Sequence, residues 1–414
     1  MRFGQVVAAG FAACFVLSGV FVAGAARAEE TIKVGLIDPM SGAFAATGRM
    51  GEQHFRFAID RANNGVLAGT GMKLELVVLD NEVSPEKSLV MLRKAIDDGV
   101  HYITQGNGSS VAYALTDAVA KNNKRDPDRA VVYLNYAAVD PSLTNDKCNW
   151  WHFRFDADSD MKMHALTDYL VAQKDIHQVY VFNQDYSFGQ AVERGALEML
   201  KDRRPDLRVV GTDRVPLGKV KDFAPYIAKM QAAGADAVVT GNWGVDLALL
   251  VKAAADSGFK GRFFTYYLQS PDIISQVGPA GKGAALINAY FYGMAYGDLE
   301  QQAADFGKQY DQIFNFWTAV NEMEMLGAAI KKAGSSDPLK VGKALDGMTW
   351  KNPMGTVTMR ADNHQLLQPM FISVLDSGTK HVFPDVNMGF REISRIEPEQ
   401  TKMATTCKFP NAPR

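Results

Sequence analysis

Two adjacent serines, Ser109 and Ser110, follow a glycine-rich turn and open a helical pattern. The turn is Gly106-Asn107-Gly108, and residues 102–104 before it form a short run of β-forming side chains. The first N–H groups of a helix have no partner within the helix and lie at the positive end of its dipole, so this arrangement can bind an anion. The glycines let a ligand approach the backbone. The alternative is that one serine only caps the helix.

Signatures of catalysis and metal binding are absent from the sequence. It contains no G-x-S-x-G elbow, no P-loop, no H-E-x-x-H and no paired metal-ligand spacing. The seven histidines, at positions 54, 101, 152, 164, 177, 364 and 381, are scattered along the chain. We therefore expect no enzyme, no cofactor and no metal.

Length and charge restrict the class of protein. At 414 residues the chain exceeds one ordinary core, which favours two domains. Residues 1–28 contain two Arg and no acid, so without them 44 basic side chains become 42, against 46 acidic ones, a net charge of −4. This balance gives no reason to expect a nucleic-acid partner.

The N-terminus has the pattern of a secretory signal peptide over residues 1–28. Arg2 precedes an apolar run over 6–22, and Ala26-Arg27-Ala28 is a small-x-small cleavage site before Glu29. Lipidation at Cys14 and a retained membrane helix are the weaker alternatives, since the apolar run continues past Cys14 and ends at the cleavage site. We expect the mature protein in the periplasm.

Removal of Cys14 with the signal peptide leaves two cysteines, Cys148 and Cys407. An even pair in an exported protein indicates one disulfide bond. Two buried free thiols are the alternative.

Strands and helices alternate twice along the chain, which predicts an α/β protein with parallel sheets covered on both faces. Strands are expected at 32–37, 74–79, 102–104 and 131–135, and then at 178–183, 207–215, 237–240 and 262–267. Ligands of such sheets lie beyond the carboxyl ends of the strands. Later segments, with strands at 283–293, 355–359 and 370–375, complete both units.

Six segments in this order give the chain a resemblance to the periplasmic solute-binding proteins of ABC importers, type I, leucine/isoleucine/valine-binding-protein-like. They are IKVGLIDPMSG (32–42), GNGSS (106–110), NYAAVDPSLT (135–144), DYSFG (185–189), TGNWGVD (240–246) and GTVTM (355–359). The resemblance covers about residues 31–400.

The resemblance implies two Rossmann-like lobes with parallel central sheets, joined by a three-strand hinge. The N-terminal lobe is expected to comprise 29–152 and 293–354, and the C-terminal lobe 153–292 and 355–414. Crossings between them are expected near 152–155, 288–292 and 354–358. Such a protein binds a small solute, here a small carboxylate, and presents it to ABC permease subunits in the inner membrane, most often as a monomer. A sensory protein of the same fold, signalling through a membrane receptor, is the alternative.

The same resemblance places the ligand carboxylate on the loop at 106–110 and the segment at 136–139, and aromatic side chains on the opposite lobe. The residues expected to form the ligand site are Asn107, Ser109, Ser110, Asn135, Tyr136, Ala137, Ala138, Asp185, Tyr186, Phe188, Trp243 and Tyr267.

Two positions depart from the pattern of the family's amino-acid binders. A hydroxyl residue and an acid that would hold the α-ammonium fall on Val139 and Tyr267. An ammonium without a carboxylate partner is costly in a closed cleft. Asp185 or Asp246 could substitute, but an aromatic cleft suits an aromatic or other apolar carboxylate. We therefore expect the ligand to need a carboxylate and no α-ammonium.

Overall fold

Five parallel strands form the sheet of the N-terminal lobe. The computed structural model describes residues 1, 4–5, 29–410 and 412–413. The strands lie in the order β2-β1-β3-β4-β5, and every neighbouring pair is parallel. In chain order the elements are β1 (Glu30–Asp38), α1 (Ala45–Asn64), β2 (Met72–Asp80), α2 (Pro85–Asp97), β3 (Tyr102–Gln105), α3 (Ser109–Arg125), β4 (Val132–Asn135) and β5 (His152–Arg154).

The C-terminal lobe follows with a larger set of alternating elements. They are α4 (Ser159–Ala172), β6 (Gln178–Gln184), α5 (Ser187–Arg203), β7 (Arg208–Val215), α6 (Ala224–Ala232), β8 (Ala237–Thr240), α7 (Gly244–Asp256), β9 (Arg262–Thr265), α8 (Pro271–Val277) and β10 (Ala285–Asn288).

The last quarter of the chain supplies parts of both lobes. It contains α9 (Leu299–Tyr310), α10 (Trp317–Ala333), α11 (Pro338–Leu345), β11 (Thr349–Asn352), β12 (Gly355–Met359), β13 (Leu366–Leu367), β14 (Met370–Ser377), β15 (Met388–Ile396) and α12 (Pro398–Thr401). Strands β14 and β15 complete a seven-stranded sheet of order β15-β14-β10-β9-β8-β6-β7. Strands β11 to β13 form a small antiparallel sheet of their own.

The predicted α/β fold with two lobes is confirmed, with one difference in strand direction. Strand β14 pairs antiparallel with both β10 and β15, so the second sheet is mixed. Strands β14 and β15 are antiparallel because the connection between them is short and contains no helix. Parallel pairing would need a longer crossover connection, usually with a helix.

Helix α10 packs on α1 and so belongs with the N-terminal lobe. The backbone of α10 comes close to the residues that follow α1 at Gly327, because a Cβ atom at this position would lie only 2.7 Å from Val66 Cγ1. Glu324 of α10 also accepts a hydrogen bond from Arg61 of α1, 3.1 Å from Nη2. The backbone N–H of Asn315, before α10, donates to Nε2 of the buried His54 at 3.0 Å.

The connections between the lobes are held together by buried polar side chains. Arg154, which is fully buried, donates from Nε to Gln365 Oε1 at 2.6 Å, and Gln368 donates to the Phe155 carbonyl at 2.5 Å. These hydrogen bonds place residues 365–368 beside residues 154–156. The third crossing was expected at 354–358, but most of that segment forms β12 of the small antiparallel sheet. The lobe boundaries in the sequence stay predictions.

The predicted disulfide between Cys148 and Cys407 is confirmed, with a Cα–Cα distance of 5.7 Å. It joins the tail that follows α12 to the segment that precedes β5. Thr405 Oγ1 donates to the Thr144 carbonyl at 3.0 Å, and Phe409 packs on His364 with ring centroids 4.4 Å apart. The C-terminal tail therefore returns to the N-terminal lobe.

The proposed signal peptide, residues 1–28, lies almost entirely outside the described residues. Within the part of the chain that the structure describes, no helix combines the length and apolar character needed to span a bilayer. The same residues include no group of three or more potential ligands around a common metal position.

Candidate functional site

A cleft that is partly open to solvent lies between the two lobes. Strand ends and helix N-termini line it, because the loops that follow the parallel strands of both sheets meet there. The N-terminal lobe contributes Thr47, Gly106 to Ser109, Ala137 to Val139 and Asn315 to Thr318. The rest of the wall is Asp156, Tyr186, Phe188, Trp243, Gly244, Tyr267, Gln269, Ser270, Ile273 and Asn288 to Tyr290.

The glycine-rich turn is fixed from below by Asp38, at the end of β1. Asp38 Oδ1 accepts the N–H groups of Asn107 at 3.1 Å and Gly106 at 3.5 Å, and Oδ2 accepts from the Tyr136 hydroxyl at 2.6 Å. Burial raises the pKa of Asp38 to about 6, against the opposing hydrogen bond from Tyr136. These two N–H groups are thus occupied and cannot serve a ligand.

Ser109 is the hydroxyl that the turn presents to the cleft. It is 2% exposed, and its Oγ accepts the N–H of Asp140 at 3.3 Å, which leaves the hydroxyl proton for another acceptor. The backbone N–H groups of Ser109 and Ser110 have no hydrogen-bond partner among the described residues. Gly108, with φ of 94°, is the N-cap, so neither serine caps the helix. Of the two serines only Ser109 lines the cleft, so its hydroxyl and its N–H are the donors that the start of α3 can offer to a carboxylate there.

The segment after β4 is shaped by Asn135. Its Oδ1 accepts the N–H groups of Ala137 at 3.2 Å and Ala138 at 2.7 Å, and its Nδ2 donates to the Ala138 carbonyl at 2.9 Å. Ala137, Ala138 and Val139 line the cleft as a result. Asn135 and Tyr136 are fully buried beneath the wall, and Ser110 is half-buried outside it.

Four of the predicted aromatic residues meet on the opposite wall: Tyr186, Phe188, Trp243 and Tyr267. The Trp243 indole donates to the Tyr186 hydroxyl at 2.7 Å, which fixes both rings. Burial raises the pKa of Tyr186 and of Tyr267, so both phenols stay neutral. The wall is therefore apolar, with hydroxyl groups at defined points.

A side chain of the N-terminal lobe closes one end of this aromatic wall. The ring of Phe44, between β1 and α1, lies 4.4 Å from that of Trp243. It is 6% exposed and packs within the hydrophobic cluster of the C-terminal lobe. A Cβ on Gly244, which has φ of 57°, would lie 2.9 Å from the Phe44 ring. The lobes are thus in direct contact beside the cleft.

Neither of the acids that the sequence suggested as substitutes lies in the wall. Asp185 is exposed and sits 3.6 Å from Arg214. Asp246 is fully buried, and its Oδ2 accepts from Gln184 and from the N–H of Gly218, each at 2.8 Å.

Asp156, which was not among the predicted site residues, does line the cleft. Asp156 is 2% exposed, and its Oδ2 lies 2.7 Å from Lys162 Nζ. Burial raises the pKa of Asp156, and Lys162 opposes the rise. Among the described lining residues it is the only Asp or Glu, and none is Lys or Arg. The sequence pattern predicted a hinge crossing at 152–155 and gave no indication that Asp156, directly after it, lines the cleft.

Helix α10 is the second part of the wall that sequence reasoning missed. Asn315 and Phe316, just before this helix, and its first residues Trp317 and Thr318 line the cleft. The Trp317 indole N–H and Asn315 Oδ1 are buried, with no partner among the described residues. The sequence signal was present, since two aromatic residues and a polar one precede an apolar helical pattern.

Comparisons with known proteins agree on one family. A family model described as periplasmic binding protein matches residues 31–380. The Leu/Ile/Val-binding protein homolog 4 of Brucella abortus (strain 2308) is 31% identical over 392 residues, which are 91% of this chain and 91% of that protein.

Two solved structures share the fold. The closed conformation of the leucine-, isoleucine-, valine-, threonine- and alanine-binding protein from Brucella ovis has a TM-score of 0.81 and 28% identity, covering 92% of this chain and 99% of that one. A solute-binding protein of an ABC transporter from Rhodopseudomonas palustris BisB5, in complex with 3,4-dihydroxybenzoic acid, has a TM-score of 0.78 and 20% identity, with the same coverage.

Proposed function

This chain belongs to the periplasmic binding protein family, and from that premise we propose that it captures a small carboxylate solute and delivers it to the permease of an ABC importer. The relatives at 28% and 31% identity are named for amino acids, each of which carries a carboxylate. The names of both relatives describe binding proteins.

One observation supports the proposal that the ligand has a carboxylate. Ser109 offers a hydroxyl proton and a backbone N–H that has no partner among the described residues, both at the positive end of a 17-residue helix. Hydrogen bonds to an ionised carboxylate are roughly twice as strong as neutral ones. The occupied N–H groups of Gly106 and Asn107 support the same site indirectly, because Asp38 holds the turn in place before the ligand arrives.

The test is ligand identification on the purified mature protein. Native mass spectrometry detects a co-purified solute, and a thermal-shift screen of amino acids and aromatic acids ranks candidates. A ligand at about 100 times its dissociation constant stabilises the folded state by about 2.7 kcal/mol. Closure of the lobes predicts a smaller radius of gyration by small-angle scattering. Binding confined to solutes without a carboxylate would contradict the proposal.

We also propose that the protein is exported to the periplasm and that its signal peptide is removed there. N-terminal sequencing of protein from the periplasmic fraction is expected to begin at Glu29, after the Ala26-Arg27-Ala28 site. For delivery, uptake of the identified solute should depend on this chain and on a permease encoded near it. Uptake that is unchanged in a deletion strain, with an altered signalling response, would favour the sensory alternative.

A further inference from the structure

Two carboxyl groups are buried together behind the glycine-rich turn. Asp38 ends β1 and Glu322 belongs to α10, and both side chains are fully buried. Neither forms an ion pair with a Lys, Arg or His side chain among the described residues. Burial raises the pKa of Glu322 well above its usual value, and a hydrogen bond from Thr104 opposes this rise only in part. Glu322 is therefore neutral, and Asp38 is the member of the pair that can ionise.

The hydrogen bonds that Asp38 accepts favour its ionised form. The N–H groups of Asn107 and Gly106 donate to Oδ1, and the Tyr136 hydroxyl donates to Oδ2. Burial without a cation opposes ionisation, and the result is a pKa of about 6 for Asp38. Near neutral pH, the protonation of this carboxyl therefore responds to one further charge in its surroundings.

The other acidic groups around Asp38 each keep one charge state. Tyr133 and Tyr136, on β4, are neutral phenols because burial raises the pKa of both. Asp80, the partner of Asp38 in the register of β1 with β2, accepts hydrogen bonds from the Ser41 hydroxyl at 2.5 Å and the Met40 N–H at 2.8 Å. Burial alone would raise the pKa of Asp80, but these hydrogen bonds lower it, so Asp80 stays ionised.

The basic side chains of the neighbouring elements do not offset the charge of Asp38. His54, in α1, is neutral because burial lowers its pKa to about 3. Arg49, also in α1, is exposed, and its Nη1 donates to the Met40 carbonyl at 3.4 Å. Arg154, in β5, is paired with Asp158 at 3.1 Å. An anion that binds in front of the turn therefore meets an uncompensated carboxylate behind it.

We propose that binding of an anionic solute is coupled to uptake of a proton from the solvent, and that Asp38 is the group that binds the proton. This rests on the proposed function, which places the solute's carboxylate at Ser109. The N–H of Ser109 is two residues past that of Asn107, so it lies within about 10 Å of Asp38 Oδ1. Two negative charges about 10 Å apart in a poorly solvated interior alter an equilibrium constant roughly 10-fold. Asp38 does not touch the solute and acts through its charge.

The coupling fixes the direction of the pH dependence. The solute's charge raises the pKa of Asp38 above its value in the free protein, so the gain in affinity is complete at low pH and is lost as the pH rises through the pKa of the solute-bound form. A 10-fold coupling makes the affinity between about 5- and 10-fold higher at pH 5.5 than at pH 8. An ordinary carboxylate of the solute stays ionised over this range, since its pKa is roughly 4.

The experiment is isothermal titration calorimetry on the mature chain, with the disulfide intact, at pH 6.5. The probes are L-leucine, L-phenylalanine, benzoate and 4-hydroxybenzoate, and the probe that binds most tightly is carried forward. Titrations in two buffers of different ionisation enthalpy give the number of protons that accompany binding. An uptake of about half a proton per solute is expected at this pH for a 10-fold coupling.

Two variants assign the proton to its site. Asp38→Asn keeps an oxygen for the N–H of Asn107 but cannot titrate, so it is expected to take up no proton and to show the same affinity at pH 5.5 and pH 8. Asp80→Asn is the matched control on the adjacent strand and is expected to keep the uptake. The wild-type protein supplies a further measurement that needs no variant, since uptake by Asp38 is expected to be largest between pH 6 and pH 7, and a maximum below pH 5 overturns the assignment.

The outcomes separate the two proposals. A carboxylate probe that binds tightly without proton uptake overturns this inference and leaves the proposed function standing. Uptake that persists in Asp38→Asn overturns the role of Asp38. An affinity that falls between pH 8 and pH 5.5 also overturns the inference, because Asp38 would then act only by holding the turn. Binding of none of the four probes overturns both proposals.

Discussion

At the scale of single residues, the site separates side chains that touch the cleft from those that hold its loops. Ser109 and Asp156 lie in the wall, whereas Asp38, Asn135 and Tyr136 bind the backbone or side chains behind it. The second group keeps donors in position before a ligand arrives, so less conformational entropy is lost on binding.

The first prediction concerns Ser109. Ser109→Ala removes a hydroxyl that donates to a charged group, which typically costs about 1.5–3 kcal/mol and therefore weakens carboxylate binding at least ~10-fold. Ser110→Ala is the matched control, because Ser110 lies outside the wall and should change affinity little. Calorimetry with the identified ligand measures both, and equal losses in the two variants would contradict the assignment.

The sequence predicted Ser109 and the aromatic residues of the wall because they directly follow strands, where a side chain's position depends on local structure. Asp156 was not predictable in this way. Its position in the cleft wall depends on Lys162, one helical turn into α4, and on the distant Gln365, which donates to its backbone carbonyl. No local pattern contains that information.

At the scale of elements, α1 and α10 are joined through the buried His54. Its Nδ1 lies 2.8 Å from the Met50 carbonyl, and its Nε2 accepts the N–H of Asn315, so the neutral ring satisfies both partners. Burial lowers the pKa of His54 to about 3. The two helices are therefore held together by a histidine that cannot be protonated without breaking a hydrogen bond.

The second prediction is a pH dependence of stability. Between about pH 6.5 and pH 3 the unfolded chain binds a proton at His54 that the folded chain does not, so stability falls as the pH falls. The slope approaches about 1.4 kcal/mol per pH unit. Asp38 opposes it, since its pKa is raised to about 6 and the folded state binds the extra proton between about pH 3.8 and 6.

The variant His54→Gln isolates the histidine from Asp38, because its amide can donate to Met50 and accept from Asn315. Urea unfolding at pH 7 and pH 5 is the measurement. The variant should lose less stability than the wild type between these two pH values, whatever its stability at pH 7. An identical pH slope in the two proteins would show that His54 is not the source.

The sequence predicted strand positions better than strand directions. The buried strands are continuous apolar runs and were recognisable, as at 178–183. Strand β15, MGFREISRI, lies at the edge of its sheet and contains charged residues, which are typical of edge strands. These charged residues interrupt the apolar pattern, so the sequence did not predict the strand. The direction of β14 depends on its neighbours in space, which an apolar pattern does not encode.

At the scale of the whole molecule, Phe44 is one of the side chains that join the two lobes beside the cleft. The third prediction is that Phe44→Ala weakens ligand binding about 10-fold without lowering the thermal stability of the ligand-free protein by a comparable amount. The reason is that the Phe44 ring packs in the hydrophobic cluster of the C-terminal lobe, so its loss is expected to destabilise the closed arrangement of the lobes by several kcal/mol at most.

Differential scanning calorimetry with and without ligand, together with the dissociation constant, checks this prediction. Phe57→Leu, in the core of the N-terminal lobe, is a suitable comparison because it should lower stability in both states alike. A Phe44→Ala protein that is equally destabilised with and without ligand would place Phe44 in the fold and not in closure.

The disulfide has a mechanical consequence. Cys148 and Cys407 are 259 positions apart in the sequence, so the seven-stranded sheet of the C-terminal lobe lies inside one covalent ring. A force applied between the two ends of the mature chain passes through the sulfur atoms and bypasses that lobe. Single-molecule pulling is expected to extend only the segments outside the ring, and addition of a reductant should release roughly 900 Å of further contour length, at about 3.6 Å per residue. The part of the protein that contains the aromatic wall is therefore not extended by the applied force until the disulfide bond is reduced.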